Sequence, residues 1–202
     1  LVPGSAAVLF AFTANLAAAD LQHVSYEAQP GQISVVIGKT AVASYIFNDP
    51  SIKRPYFAHV KTPRGVQVTR NHPPHAGQDV DDHPTYHPGI WLAFGDISGR
   101  DYWRMKARVK HVEFAKPPVD GPSHGCFAVR NQYLDPGDAG AVVCEEHAEF
   151  KIVVRPTGYL IVWDSEFFSD TEFYFGDQEE MGLGFRVATP IRVEQDSDDG
   201  VG

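Results

Sequence analysis

Past residue 20 the sequence contains no convincing amphipathic helix, because apolar residues do not recur at three- and four-residue spacing. What recurs instead is short β-branched and aromatic runs, separated by Gly, Pro, Asn and Asp. Such runs bury one face by laying sheet on sheet, which points to a sandwich or barrel. Ile33–Ile37 and Ala41–Phe47 flank Gly38-Lys39 as the arms of a hairpin do. Further strands are predicted over Tyr56–Val60, Val66–Arg70, Ile90–Phe94, Val109–Phe114, Cys126–Leu134, Val142–Arg155, Tyr159–Phe168, Glu172–Phe175 and Gly184–Val187. Tyr159-Leu160-Ile161-Val162-Trp163 is continuously apolar, which predicts burial on both faces of that strand. The 15 prolines suit edges and loops and would break helices. The fold predicted is all-β, a large and mainly antiparallel β-sandwich.

A net charge of −9 with scattered lysines and arginines excludes nucleic acid and anionic membrane surfaces as partners, since neutralising phosphates needs clustered cations. Ala6-Ala7-Val8-Leu9-Phe10-Ala11-Phe12, followed by Ala17-Ala18-Ala19, has the pattern of a signal peptide over residues 1–19, without the usual basic n-region. The run is shorter than the roughly 20 apolar residues that span a bilayer, so no membrane insertion is expected. The expected organisation is therefore a leader followed by one sandwich domain over residues 20–202, incomplete at its C-terminus, in a periplasmic or secreted protein. Export would permit a disulfide between Cys126 and Cys144. If Leu134 pairs with Ala141 across the turn at 135–140, however, the two cysteines sit about five residues out of register, beyond disulfide reach. Two buried free thiols are expected.

The segment Arg70–Gly89 breaks the strand pattern. It holds His72, His75, His83 and His87, with Asp79, Asp81 and Asp82 among them and four prolines that stiffen it. Long loops inside compact domains are usually functional. Three readings stand side by side. The histidines and aspartates bind a metal, although no third ligand is defined by spacing. Or His83 and His87 act as acid–base groups on a small polar substrate. Or the side chains only cap turns.

Several blocks resemble a bacterial family known as PmoA-like: Arg54-Pro55-Tyr56-Phe57, Thr62–Arg70, Asp82-His83-Pro84, His87-Pro88-Gly89-Ile90-Trp91, Phe94-Gly95-Asp96 and Glu180–Pro190. That resemblance covers about residues 30–195. It implies a sandwich similar to aldose epimerases, in exported proteins of polysaccharide-degrading bacteria, with histidines and a late carboxylate acting on a sugar. In this sequence Thr85-Tyr86 stand between the Asp-His-Pro step and His87.

The resemblance implies His83 and His87 as acid or electrophile and Glu180 as base. Arg70 and Arg186, like Arg54, could fork onto a carboxylate, with Asp82 beside them. Tyr56 and Trp91 could stack on a sugar face, although strand aromatics are more often core. No phosphate loop, nucleophile elbow, CxxC or HExxH is present. The activity expected is sugar chemistry of epimerase, lyase or hydrolase type on a small-molecule or glycan substrate, with no cofactor. A non-catalytic glycan-binding module and a metal-dependent oxygenase or hydrolase are the alternatives. Oligomeric state is not legible.

Overall fold

The computed structural model describes residues 23–192 apart from 139 and 180, so the leader expected over 1–19 lies outside the described residues. The strands are β1 (His23–Gln29), β2 (Gln32–Ile37), β3 (Thr40–Ile46), β4 (Tyr56–Ala58), β5 (Ile90–Ala93), β6 (Val109–Val119), β7 (Gly121–Pro122), β8 (His124–Leu134), β9 (Val142–Arg155), β10 (Gly158–Phe168) and β11 (Gly182–Phe185). They form two antiparallel sheets. One has seven strands in the order β11-β5-β4-β3-β2-β1-β7, and the other has four in the order β10-β9-β8-β6. The all-β, sandwich-like fold is as predicted. Among the described residues no helix is long and apolar enough to cross a membrane.

The alternation of β9 shows why these sequences fold this way. Cys144, Glu146, Ala148, Phe150 and Ile152 are buried, while Glu149 and Lys151 between them face solvent. Phe150 joins Phe127 and Val129 of β8 against Val35, Tyr45 and Phe57 of the seven-stranded sheet. The Tyr45 ring is central, with centroids 5.1 Å from Phe57, 5.2 Å from Phe127 and 5.0 Å from Phe150. The β2–β3 turn is the two-residue loop expected at Gly38-Lys39. Gly38 has φ of 62° and Ile37 pairs with Thr40. Glycine is the residue that takes this left-handed first position of a II′-type turn without strain.

Several expectations need correction. β10 is not buried on both faces: Leu160 and Val162 are 48% and 46% exposed, and only the alternate residues face the core. The strand lies at the edge of its sheet, where its continuous apolar run reflects β propensity rather than two covered faces. Residues 66–70 and 172–175 form no strand, only isolated bridges such as Thr69 with Val187 and Ile97 with Phe175. β1, which was not foreseen, pairs along β2 from Val24–Ile37 to Gln29–Gln32. Around the 135–140 turn the register differs from the assumed one: Leu134 pairs with Val142 and Tyr133 with Cys144, across an irregularity in the ladder. Cys126 therefore faces Lys151. Both thiols are free, Cys144 buried and Cys126 only partly so.

Candidate functional site

The histidine loop runs between the bridge at Thr69 and β5, over the end of the sheet where β5 and β11 pair. Its path is set by Arg70. That guanidinium is buried, and Nη1 donates to the carbonyls of Val80 (2.8 Å) and Asp82 (2.7 Å) and to Asp82 Oδ1 (3.1 Å). Nη2 donates to the carbonyls of His83 (3.2 Å) and His87 (3.1 Å). A planar fork with several donors can gather carbonyls that a loop without ladder partners would otherwise leave unpaired. Main-chain bonds stitch the same region, from Arg70 N to the Arg186 carbonyl and from Arg186 N to the Gly89 carbonyl.

Asp82 bridges Arg70 and Arg186, the latter through a hydrogen bond from Nη2. Burial works against its ionisation, but Arg186, its own main-chain N–H and Arg70 outweigh that and hold the carboxyl below its usual range. The other Asp82 oxygen lies 3.8 Å from His83 Nδ1. His83 has φ of 46°, a left-handed conformation that costs a non-glycine residue energy and recurs at functional sites. His87 N donates to the His83 carbonyl at 3.2 Å, and this single turn brings the two imidazoles to a centroid separation of 4.9 Å. The His83 side chain is 58% exposed.

His87 is half-buried, stacked on Trp91 at 4.9 Å. Trp91 in turn meets Trp103 at 5.4 Å and has the Arg54 guanidinium 5.5 Å from its ring centre. Burial pulls the His87 pKa down to about 4, helped by His83, Arg186, Arg54 and Arg70. Near neutral pH His87 is therefore a neutral imidazole, with one nitrogen donating and one accepting. Room for the Trp91 indole comes from β11. A Cβ on Gly184 would lie 2.2 Å from ring atoms of Trp91, so only glycine permits this approach.

The structure thus brings His83, His87, Asp82 and Arg186 together, with Arg70 beneath them as the anchor of the loop rather than as an open ligand donor. Trp91 is buried behind His87 and offers no open face. Tyr56 is fully buried too, with its hydroxyl donating to Asp49 Oδ2 at 2.8 Å and its ring against His72. Neither aromatic is a stacking platform. Glu180 lies outside the described residues. Asp79 is a turn organiser, accepting from Asn71, the His75 main chain and Thr189. Among the described residues no group of three or more His, Cys, Asp or Glu side chains is arranged to hold a metal ion, so the third ligand that a metal reading needs is not supplied here.

One ionisable group went unnoticed in the sequence. Glu146 is buried inside the sandwich, where Asn131 Nδ2 (3.0 Å), Tyr133 Oη (3.4 Å) and Ser165 Oγ (2.6 Å) donate to it. Burial raises its pKa against these hydrogen bonds. The signal was strand parity: Glu146 shares a face with Cys144, Ala148 and Phe150, whereas Glu145 and His147 take the other.

No curated protein and no solved structure matches the chain. A family model does match, over residues 32–199, and that span takes in the histidine loop, Arg186 and every described strand except β1. The chain belongs to the family of unknown function DUF6807.

Proposed function

We propose that this is an exported, carbohydrate-active protein in which His83 and His87 carry acid–base chemistry on a sugar, of epimerase, lyase or hydrolase type. The observation that carries the reading is the imidazole pair. An exposed His83 stands 4.9 Å from a His87 that is held neutral by its burial against Trp91. A neutral imidazole can donate to a developing oxyanion or accept a proton, and the nearby arginines favour negative charge on the substrate oxygen. The resemblance of the Asp82-His83-Pro84 and His87–Trp91 blocks to PmoA-like sequences supports the same reading, as does the leader-like N-terminus for export.

The test is turnover of a panel of neutral and acidic sugars, followed by product analysis. Substituting His83→Ala and His87→Phe should each abolish turnover while circular dichroism stays that of the parent. Undiminished turnover in either variant would overturn the assignment. A purely glycan-binding role finds less support, because Tyr56 and Trp91 are buried and the exposed aromatic near His83 is Tyr86, at 6.3 Å.

A further inference from the structure

In a sandwich the apolar residues of the two inner faces close over one another and exclude water. At the end where β2 and β9 finish, the closure is incomplete. Val68, Ile90, Tyr159 and Ile161 stay partly exposed around a hollow of about 290 Å³, with β5 on one side and β10 on the other. The Tyr159 hydroxyl is already engaged there, donating to the carbonyls of Val42 (3.1 Å) and Lys61 (2.8 Å). What the hollow offers a ligand is therefore mainly hydrocarbon. Ile90 packs toward the main core and Trp91 toward the opposite side of β5, so the hollow and the His87–Trp91 stack lie on different faces of the sheet.

Thr62, Pro63 and Gly158 also line a wider recess of about 740 Å³, so the two spaces meet. Its size falls within the range of ligand pockets, roughly 300–1,000 Å³. Ile37, Val66 and Val154 give it apolar walls, and Val66 is 61% exposed. Two exposed arginines also line it, Arg64 from the turn before Val66 and Arg155 from the turn between β9 and β10. Neither takes part in an ion pair among the described residues. No Asp or Glu lines either space. In a protein of net charge −9 this is an apolar groove with a cationic mouth.

We propose that this end of the sandwich binds a free aliphatic carboxylic acid of medium chain length. The chain lies in the hollow against Val68, Ile90 and Ile161, and the carboxylate sits at the mouth with Arg64 and Arg155. A sugar would bring several hydroxyls to walls with few partners for them, whereas a hydrocarbon chain needs none. Each methylene removed from water adds to affinity, and a guanidinium fork suits the carboxylate. The site does not rest on the function proposed for the histidine pair.

Isothermal titration calorimetry on the intact chain tests this, with acetate, octanoate, decanoate and 1-octanol as probes. Saturable binding of octanoate and decanoate is expected, decanoate at least about fivefold tighter. Octanol should bind at least about tenfold more weakly than octanoate, and acetate should give no heat. Absence of decanoate binding, affinity independent of chain length, or octanol binding as tightly as octanoate would overturn the proposal. So would binding to phosphatidylglycerol vesicles without binding to decanoate, which would assign the cations to a membrane surface. The double variant Arg64→Glu with Arg155→Glu changes only exposed side chains and should cut decanoate affinity at least about tenfold, with circular dichroism unchanged. Undiminished affinity in that double variant sinks the proposal. His83→Ala should leave decanoate affinity as it was, which separates this site from the histidine pair.

Discussion

The imidazole of His87 lies nearly parallel to the indole of Trp91, with planes 11° apart and centroids 4.9 Å apart. The stack makes His87 a pH-sensitive part of the fold as well as a candidate for chemistry. Its pKa falls from 6.5 in the unfolded chain to about 4 in the folded one. Between these values the unfolded state holds more protons, so stability is full above about pH 6.5 and declines as pH falls toward about 4. Discounted for partial exposure, the loss is about 1 kcal/mol. His59, His72 and His111 are shifted in the same direction by burial and add to it. Urea denaturation at about pH 7.5 and about pH 4.5 reads the difference. His87→Phe keeps a ring on Trp91 and should shrink that difference; an unaltered pH dependence would contradict the stack as its source.

Gly184→Ala should destabilise the protein by about 1–3 kcal/mol, because the new methyl group meets a buried indole that has nowhere to go. The neighbouring Leu183→Ala is the control. Leu183 is 63% exposed, and its loss should stay within about 0.5 kcal/mol. Thermal melts of the two variants side by side check this, and equal melting temperatures would refute the close approach.

Arg70→Lys should cost about 3 kcal/mol, since a lysine ammonium cannot reproduce the fork that spans residues 80–87 and pairs with Asp82. Hydrogen exchange should show amides of residues 80–87 losing protection before those of β8 and β9. Retained protection in the loop would mean that something other than Arg70 fixes it.

Glu146 separates charge from hydrogen bonding. Its folded pKa is raised, so the folded state keeps a proton that the unfolded state releases, and stability is lost as pH rises above the unfolded value of 4.5. Glu146→Gln retains the shape and removes that dependence, so its stability relative to the parent should improve as pH rises above 4.5 and across the neutral range. Glu146→Leu leaves Asn131 and Ser165 without their acceptor and should cost about 2 kcal/mol at any pH. Chemical denaturation of both variants across that range distinguishes the two effects.

Strand periodicity carried most of the fold, and its failures are physical. Tyr159–Trp163 is apolar at every position because β propensity fills an edge strand as readily as a central one, so pattern alone could not tell one covered face from two. His23–Gln29 was passed over because its exposed residues, such as Glu27 and Gln29, dilute the apolar signal. In the site, the histidine-rich loop pointed to His83 and His87, and Asp82 entered only through the resemblance of its Asp-His-Pro step. The use of Arg70 was not, because its partners are carbonyls, and every residue has one. Tyr56 and Trp91 look the same in sequence whether they line a surface or a core.

Arg70 reads the backbone of residues 80, 82, 83 and 87, and of these it touches only the Asp82 side chain. A clasp of that kind holds the shape of a loop while leaving its wording open. The Arg70 clasp would hold the same curve if position 87, or position 83 within what its left-handed backbone accepts, carried another reactive side chain. A lineage built on this scaffold could therefore change its chemistry by single substitutions, and a protein engineer could use the same freedom, provided that the arginine beneath is left alone.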